Sequence, residues 1–162
     1  MRVVSDTSPI SNLAIIGRLD FLRRLHGTVI ITPAVAGELS RLRHADGRAA
    51  IEAALADGWL KIESPASPVP PIPGLDAGET ESIALALAVP GTVLLIDEAE
   101  GRAAARSRGI ALTGAVGVLI AARKKDWIPS LKTELLALRT QARFFLSPGF
   151  FAEALAAVGE TP

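Results

Sequence analysis

Four carboxylates in this chain stand where an α/β scaffold would draw them together. Asp6 ends the short apolar run Val3-Val4 and leads straight into Thr7-Ser8-Pro9. Asp97 ends a second run, Thr92-Val93-Leu94-Leu95-Ile96. An acid at the carboxyl end of a buried strand lies on the sheet edge where open α/β folds bind ligands and metals. Aspartate is also an ordinary turn and helix-capping residue at such places, so position alone leaves both readings open.

Glu38 and Glu79 add two acids from helices. Glu38 shares its segment with the apolar stripe Val35, Leu39 and Leu42. At about 100° per residue it lies within roughly 60–70° of the centre of that stripe. An ionised carboxylate at the margin of a buried face costs several kcal/mol if unpaired. Solvent, Arg41 or Arg43 would relieve that cost, and so would a metal ion. Glu79 precedes Ile83 by four residues and Leu87 by eight, so it projects along an apolar face, with Glu81 turned to the opposite, solvated side. Equally, Asp76-Ala77-Gly78-Glu79 has the spacing of a capping box, in which Glu79 reaches back to the Asp76 backbone. Oxygen-only ligands suit Mg²⁺ or Mn²⁺ rather than zinc. Two such ions about 3.5–4 Å apart can orient a water and steady the leaving oxygen in phosphodiester cleavage.

What must position these acids is a single α/β domain. The chain has 162 residues, 49% hydrophobic and 21% charged. That is enough to bury a real core in one domain spanning 1–162. Its 17 basic and 17 acidic residues cancel, which argues against nucleic-acid binding through bulk charge while leaving room for a local basic patch. The absence of cysteine excludes disulfides and thiolate metal sites and fits a reducing compartment. The N-terminus shows no apolar signal core, and the stretch Ile83 to Ile96 is interrupted by Pro90-Gly91 and too short to span a bilayer, so a soluble, cytoplasmic protein is expected.

The pattern predicts a strand at Val3-Val4, then a helix with Ser8 as N-cap and Pro9 first, stopped by Gly17. A helix with Leu19, Leu22 and Leu25 on one face ends at His26-Gly27, and Val29–Ile31 is a buried strand. Thr32-Pro33 opens a helix to about Arg43, and Asp46 caps another that ends at Asp57-Gly58. Trp59–Ile62 is extended, and residues 64–74, with five prolines, form a stiff loop. Asp76 caps a helix to Ala88. Thereafter come a strand at Thr92–Ile96, a helix at Glu98–Arg108, a strand at Ile110–Leu112, and helices at Ala115–Lys125, Leu131–Arg139 and Phe150–Val158. Strands alternating with helices give a small parallel sheet flanked by helices.

Several segments, in order, resemble one family. They are Val4-Ser5-Asp6-Thr7-Ser8-Pro9, Leu19-Asp20-Phe21-Leu22, Ile31-Thr32-Pro33-Ala34-Val35 through Glu38-Leu39, Ala77-Gly78-Glu79 through Ile83-Ala84-Leu85-Ala86, Leu95-Ile96-Asp97, and Gly114-Ala115-Val116-Gly117-Val118-Leu119. The chain resembles a PIN-domain ribonuclease of the VapC type, in the branch that begins Asp-Thr-Ser-Pro. The resemblance implies a PIN-like fold with Asp6, Glu38, Glu79 and Asp97 as catalytic acids around Mg²⁺ or Mn²⁺. It further implies a metal-dependent endoribonuclease, the toxin of a type II toxin–antitoxin pair, with RNA as substrate, a cognate antitoxin protein and a homodimeric assembly. Many relatives carry aspartate where Glu79 stands, and Asp97 is followed by Glu98 where aspartate is expected, so Glu98 competes as fourth ligand. A Thr7 or Ser8 hydroxyl would support the metal site.

Basic residues concentrate late in the chain. Arg102 and Arg106, on the helix that starts beside Asp97, are candidates for RNA phosphate contacts, against the ordinary reading of a solvated face. Gly114-x-x-Gly117 lacks the lysine of a phosphate cradle and reads as close packing of helix on strand. His26 stands at a helix C-terminus, where positive charge is favoured. With five phenylalanines, two tryptophans and no tyrosine, a base-stacking platform is not expected. Two alternatives accompany the ribonuclease reading. A haloacid-dehalogenase-like phosphatase would need an acid where Ser8 stands, and a catalytically inactive PIN-like binding module would not need all four acids.

Overall fold

Five short strands carry the fold in the computed structural model, which describes residues 1–162. They are β1 (Val3–Ser5), β2 (Val29–Ile31), β3 (Leu60–Ile62), β4 (Val93–Leu95) and β5 (Ala111–Thr113), all parallel, in the order β3-β2-β1-β4-β5. The chain steps outward from β1 to β3, then returns to the other side of β1 with β4 and β5. The order therefore reverses between β1 and β4, and a crevice opens beyond their carboxyl ends at such a switch point. Ser5 is in register with Leu95, and the Asp6 N–H donates to the Leu95 carbonyl at 2.8 Å. Asp6 and Asp97 thus leave the sheet side by side.

Side-chain alternation splits the core in two. Val3 and Leu95 point into a large cluster with helices α1 (Thr7–Ile15), α2 (Asp20–His26), α3 (Pro33–Ser40), α4 (Ala45–Ala56), α7 (Ala115–Lys124), α8 (Leu131–Gln141) and α9 (Pro148–Ala156). Val4, Leu94 and Ile96 point to the other face, under α5 (Ala77–Ala88) and α6 (Ala99–Ser107). Both faces of β1 are covered, as parallel strands require. No helix is long and apolar enough to cross a membrane.

Most helix starts follow from capping. Thr32 Oγ1 accepts from the Val35 N–H at 3.3 Å. Pro33 takes the first helical position of α3, where no N–H partner is lost. Asp76 caps α5, as its spacing predicts. Three local readings are corrected. Helix α1 begins at Thr7, so Asp6 and not Ser8 is its N-cap residue, and Pro9 sits third in the first turn, where a missing N–H is harmless. His44 caps α4 instead of Asp46, its Nδ1 accepting from the Gly47 N–H at 2.9 Å. Helix α3 stops at Ser40, three residues before Arg43, so Leu42 packs from beyond its end. Gly17 and Gly27, both with a φ of 75°, follow the ends of α1 and α2. That left-handed conformation is costly for residues with a side chain. His26 is half-buried with both ring nitrogens unpartnered, and burial lowers its pKa, which favours a neutral ring over the cation expected at a helix end.

Candidate active site

Asp6 is the hub of the switch-point crevice. Its side chain is 3% exposed, and Oδ1 is buried with no hydrogen-bond partner. Burial pushes its pKa to about 7; the Thr7 backbone N–H opposes this, while the charges of Asp76, Glu38 and Asp97 add to it. Glu38 reaches the same crevice from α3. Its Oε2 accepts from the Thr7 hydroxyl at 2.5 Å, and neither Arg41 nor Arg43 pairs with it. Of the two hydroxyls expected near these acids, that of Thr7 bonds one of them, while Ser8 accepts at its carbonyl from the Ser11 hydroxyl.

Glu79, in the first turn of α5, is 8% exposed. Half of the capping box is formed, with its N–H donating to Asp76 Oδ1 at 2.8 Å. The reciprocal bond is not, and the Glu79 carboxylate turns to the crevice. Burial raises its pKa to about 7, with the charges of Asp76 and Asp6 adding to the effect. Glu81 departs from the expected solvated position. It is half-buried, and its Oε2 accepts from the Ala34 N–H at 3.2 Å. This puts a carboxylate on the N-terminus of α3, where negative charge is favoured.

Asp97 leaves β4 one residue later than Asp6 leaves β1. Its Oδ1 accepts from the Ala115 N–H at 2.9 Å and its Oδ2 from Asn12 Nδ2 at 3.4 Å. Burial raises its pKa, while these two bonds and the Arg102 charge pull the other way. It thus caps α7 across space and keeps lone pairs for a further partner. Glu98 is the exposed N-cap residue of α6, its charge felt by both Glu79 and Asp97. Arg102 Nη1 donates to the Ile96 carbonyl at 2.8 Å; burial lowers its pKa and Asp97 opposes that. Arg106 is exposed and bonded to no acid.

Three glycines make the crevice possible. A Cβ on Gly78 would lie 2.7 Å from Glu38 Oε1 and 3.3 Å from Asp6 Oδ1. One on Gly101 would lie 2.9 Å from Glu79 Oε2, and one on Gly114 would collide with Asp97 Oδ1. Each acid is seated against a helix start that carries no side chain.

The donor set fits a hard divalent cation in chemistry, since every group is a carboxylate and Asp6 Oδ1 is an orphaned buried acceptor. It departs from a closed cage in spacing, because no three Asp, Glu or His side chains are gathered tightly enough to hold an ion as they stand. Like charges without a counter-charge keep apart; burial first, and these neighbouring charges after it, raise the pKa values of Asp6 and Glu79. Sequence reasoning missed two contributors. Asp76 has the spacing of a helix cap alone, yet among the neighbouring acids its charge weighs most on both Asp6 and Glu79. Asn12, which holds Asp97, lies on α1 at a position no motif marks.

A reversed parallel order with acids at the switch point defines the class of fold, and comparison gives it a family. The family model described as DUF3368, PIN domain, matches residues 2–160, so the chain belongs to the PIN-domain family. Among solved structures it is similar to a PilT N-terminus domain protein, SSO1118, from the hyperthermophilic archaeon Sulfolobus solfataricus P2. That likeness has a TM-score of 0.55 and 17% identity, over 75% of this chain and 93% of that one, and speaks to the fold alone. No curated protein matches the chain. PIN domains are generally nucleases.

Proposed function

We propose that this chain is a metal-dependent endoribonuclease, the VapC-type toxin of a type II toxin–antitoxin pair. The observation that carries the catalytic part is Asp6, a buried strand-end carboxylate with an unpartnered oxygen, surrounded by the charges of Glu38, Asp76 and Asp97. Mg²⁺ or Mn²⁺ held by Asp6, Glu38, Glu79 and Asp97 would supply positive charge to these acids and activate a water toward the RNA phosphodiester.

The chain's own residues prepare that chemistry. Burial raises the pKa of Asp6 and of Glu79 to about 7, so near neutral pH the site holds protons that a cation would displace. The Thr7 hydroxyl orients Glu38, and Asn12 with the Ala115 N–H orients Asp97. Arg102 spends one nitrogen on the Ile96 carbonyl and keeps others for a phosphate oxygen. Arg106, exposed one turn further along α6, offers a looser contact. A local pair of guanidiniums serves RNA even though the net charge is zero. The toxin role, the antitoxin partner, the homodimer and a cytoplasmic location rest on the resemblance of the Asp-Thr-Ser-Pro branch.

The test is cleavage of a labelled single-stranded RNA with Mn²⁺, Mg²⁺ or chelator, comparing wild type with Asp6→Asn. Wild type is expected to cut with metal, and Asp6→Asn to lose more than about a hundredfold of that rate. A folded, metal-supplied wild type that cuts no RNA would overturn the reading. Equal cutting by Asp6→Asn would assign the activity to a contaminant.

A further inference from the structure

Composition argues against a base-stacking platform, but the fold gathers three of the five phenylalanines beside Asp97. Helix α8 ends at Gln141, and the link to α9 turns at Arg143. The φ of Arg143 is 53°, a conformation non-glycine residues rarely adopt. Beyond that turn Phe144 packs inward against the large core while Phe145 is 84% exposed. Phe150, on α9, is 46% exposed.

Two cavities meet at this segment. One, of about 450 Å³, is lined by Asp97 and Arg102 together with Phe144, Phe145 and Phe150. The second, of about 510 Å³, runs from Ser8, Asn12 and Glu98 to Arg143, and also touches Asp97, Phe144 and Phe145. Phe145 therefore lines both hollows, and so does Asp97 of the candidate active site. A guanidinium lines each hollow, Arg102 in one and Arg143 in the other.

We propose that Phe145, with Phe150 lining the same cavity, is a stacking subsite for one unpaired base of a single-stranded RNA whose phosphate lies at the acids. The inference rests on the ribonuclease reading and adds where a neighbouring nucleotide goes. An aromatic face accepts any base, and alanine substitution at such platforms typically weakens binding several-fold to about a hundredfold. Arg102 and Arg143 supply positive charge for the phosphates on either side of the stacked base. RNA fits this face better than a protein partner because Asp97 lines both hollows and a guanidinium lines each, matching a chain that alternates flat bases with anionic links. The largely apolar lining predicts tolerance of base identity at this position.

Binding separates this proposal from the catalytic one. A fluorescence-anisotropy titration would use the non-cutting Asp6→Asn chain with Mn²⁺, a short single-stranded RNA, and an abasic ribose-phosphate oligomer of the same length. Phe145→Ala is expected to weaken RNA binding about tenfold and to leave the abasic oligomer unaffected. Phe145→Trp should retain the affinity, and its added indole emission should be quenched by RNA but not by the abasic oligomer. The side chain is exposed, so both variants should fold. Unchanged RNA affinity in Phe145→Ala, or an equal loss for both oligomers, would overturn the subsite. So would a variant that changes only sedimentation from dimer to monomer, which would make this face a contact between copies. If wild type cuts RNA while Phe145→Ala keeps full affinity and rate, the subsite alone falls. If wild type cuts nothing, the catalytic reading falls, and the binding result still decides the subsite.

Discussion

Glu134 and Glu160 are treated very differently from Asp6 and Glu79, although all four are carboxylates in one small domain. Glu134 is 6% exposed and accepts three hydrogen bonds from Arg18, the shortest at 2.6 Å. Glu160 accepts from the N–H groups of Leu131 and Lys132, from the Ser130 hydroxyl and from Arg123. Burial alone would raise the Glu160 pKa, but those donors outweigh it and the net shift is downward. Asp6 and Glu79 receive no cation from the chain, and burial takes both to about 7. Where the fold uses acids to tie helices together it satisfies them. At the switch point it leaves them short of positive charge, the condition a cation-binding site requires.

The largest expected effect breaks the second group. Asp6→Asn should abolish metal-dependent RNA cleavage by more than about a hundredfold while raising the melting temperature of the metal-free chain, because it removes the cost of a buried charge. Calorimetry beside the cleavage assay checks both halves, and a destabilised Asp6→Asn would place Asp6 with the structural acids. Gly78→Ala comes next. Its methyl would crowd Glu38 Oε1 and Asp6 Oδ1. Metal affinity should therefore fall by about 10–100-fold with the fold retained, measured by Mn²⁺ titration.

Breaking the first group should cost stability and leave the site intact. Glu134→Gln loses the charge that holds Arg18. It is expected to destabilise by about 1–3 kcal/mol in urea unfolding, with cleavage per folded molecule unchanged. The pH dependence sharpens the contrast further. Asp6 and Glu79 have folded pKa values of about 7, above their ordinary 3.8 and 4.5, so the folded chain holds more protons than the unfolded one between those limits. Their contribution to stability is complete below about pH 4 and is lost as pH rises through about 7. Glu160, with a lowered pKa, contributes above its ordinary 4.5 and loses that contribution as pH falls. Metal-free wild type should therefore lose stability between about pH 4 and 7, and Asp6→Asn should flatten part of that slope. The smallest effect is expected at Arg106, where alanine should weaken RNA binding by a few-fold at low salt and less at high salt.

Much of the fold was legible because it is written locally. The β-branched runs at Val29–Ile31 and Thr92–Ile96 mark strands, and Thr32-Pro33 and Asp76 mark helix starts through short-range capping chemistry. The strand-end acids and the inward face of Glu79 followed from the same periodicities. What stayed hidden depends on contacts between distant segments. Ser8 has the spacing of an N-cap, but the Asp6 N–H is fixed to Leu95 by the sheet and α1 starts earlier. Glu81 looks solvated on its own helix, and only the position of α3 gives it the Ala34 N–H. The five phenylalanines looked too few to matter until the turn at Arg143 brought three of them to Asp97.

The central claim is that Asp6, Glu38, Glu79 and Asp97 act as one cation site, and Mn²⁺ titration calorimetry at neutral pH in two buffers of different ionisation enthalpy tests it most directly. Binding should release protons from Asp6 and Glu79, so the observed heat should differ between buffers, and Asp6→Asn should lose both affinity and part of the proton release. No binding, or binding with the same affinity and proton count in Asp6→Asn, would contradict it.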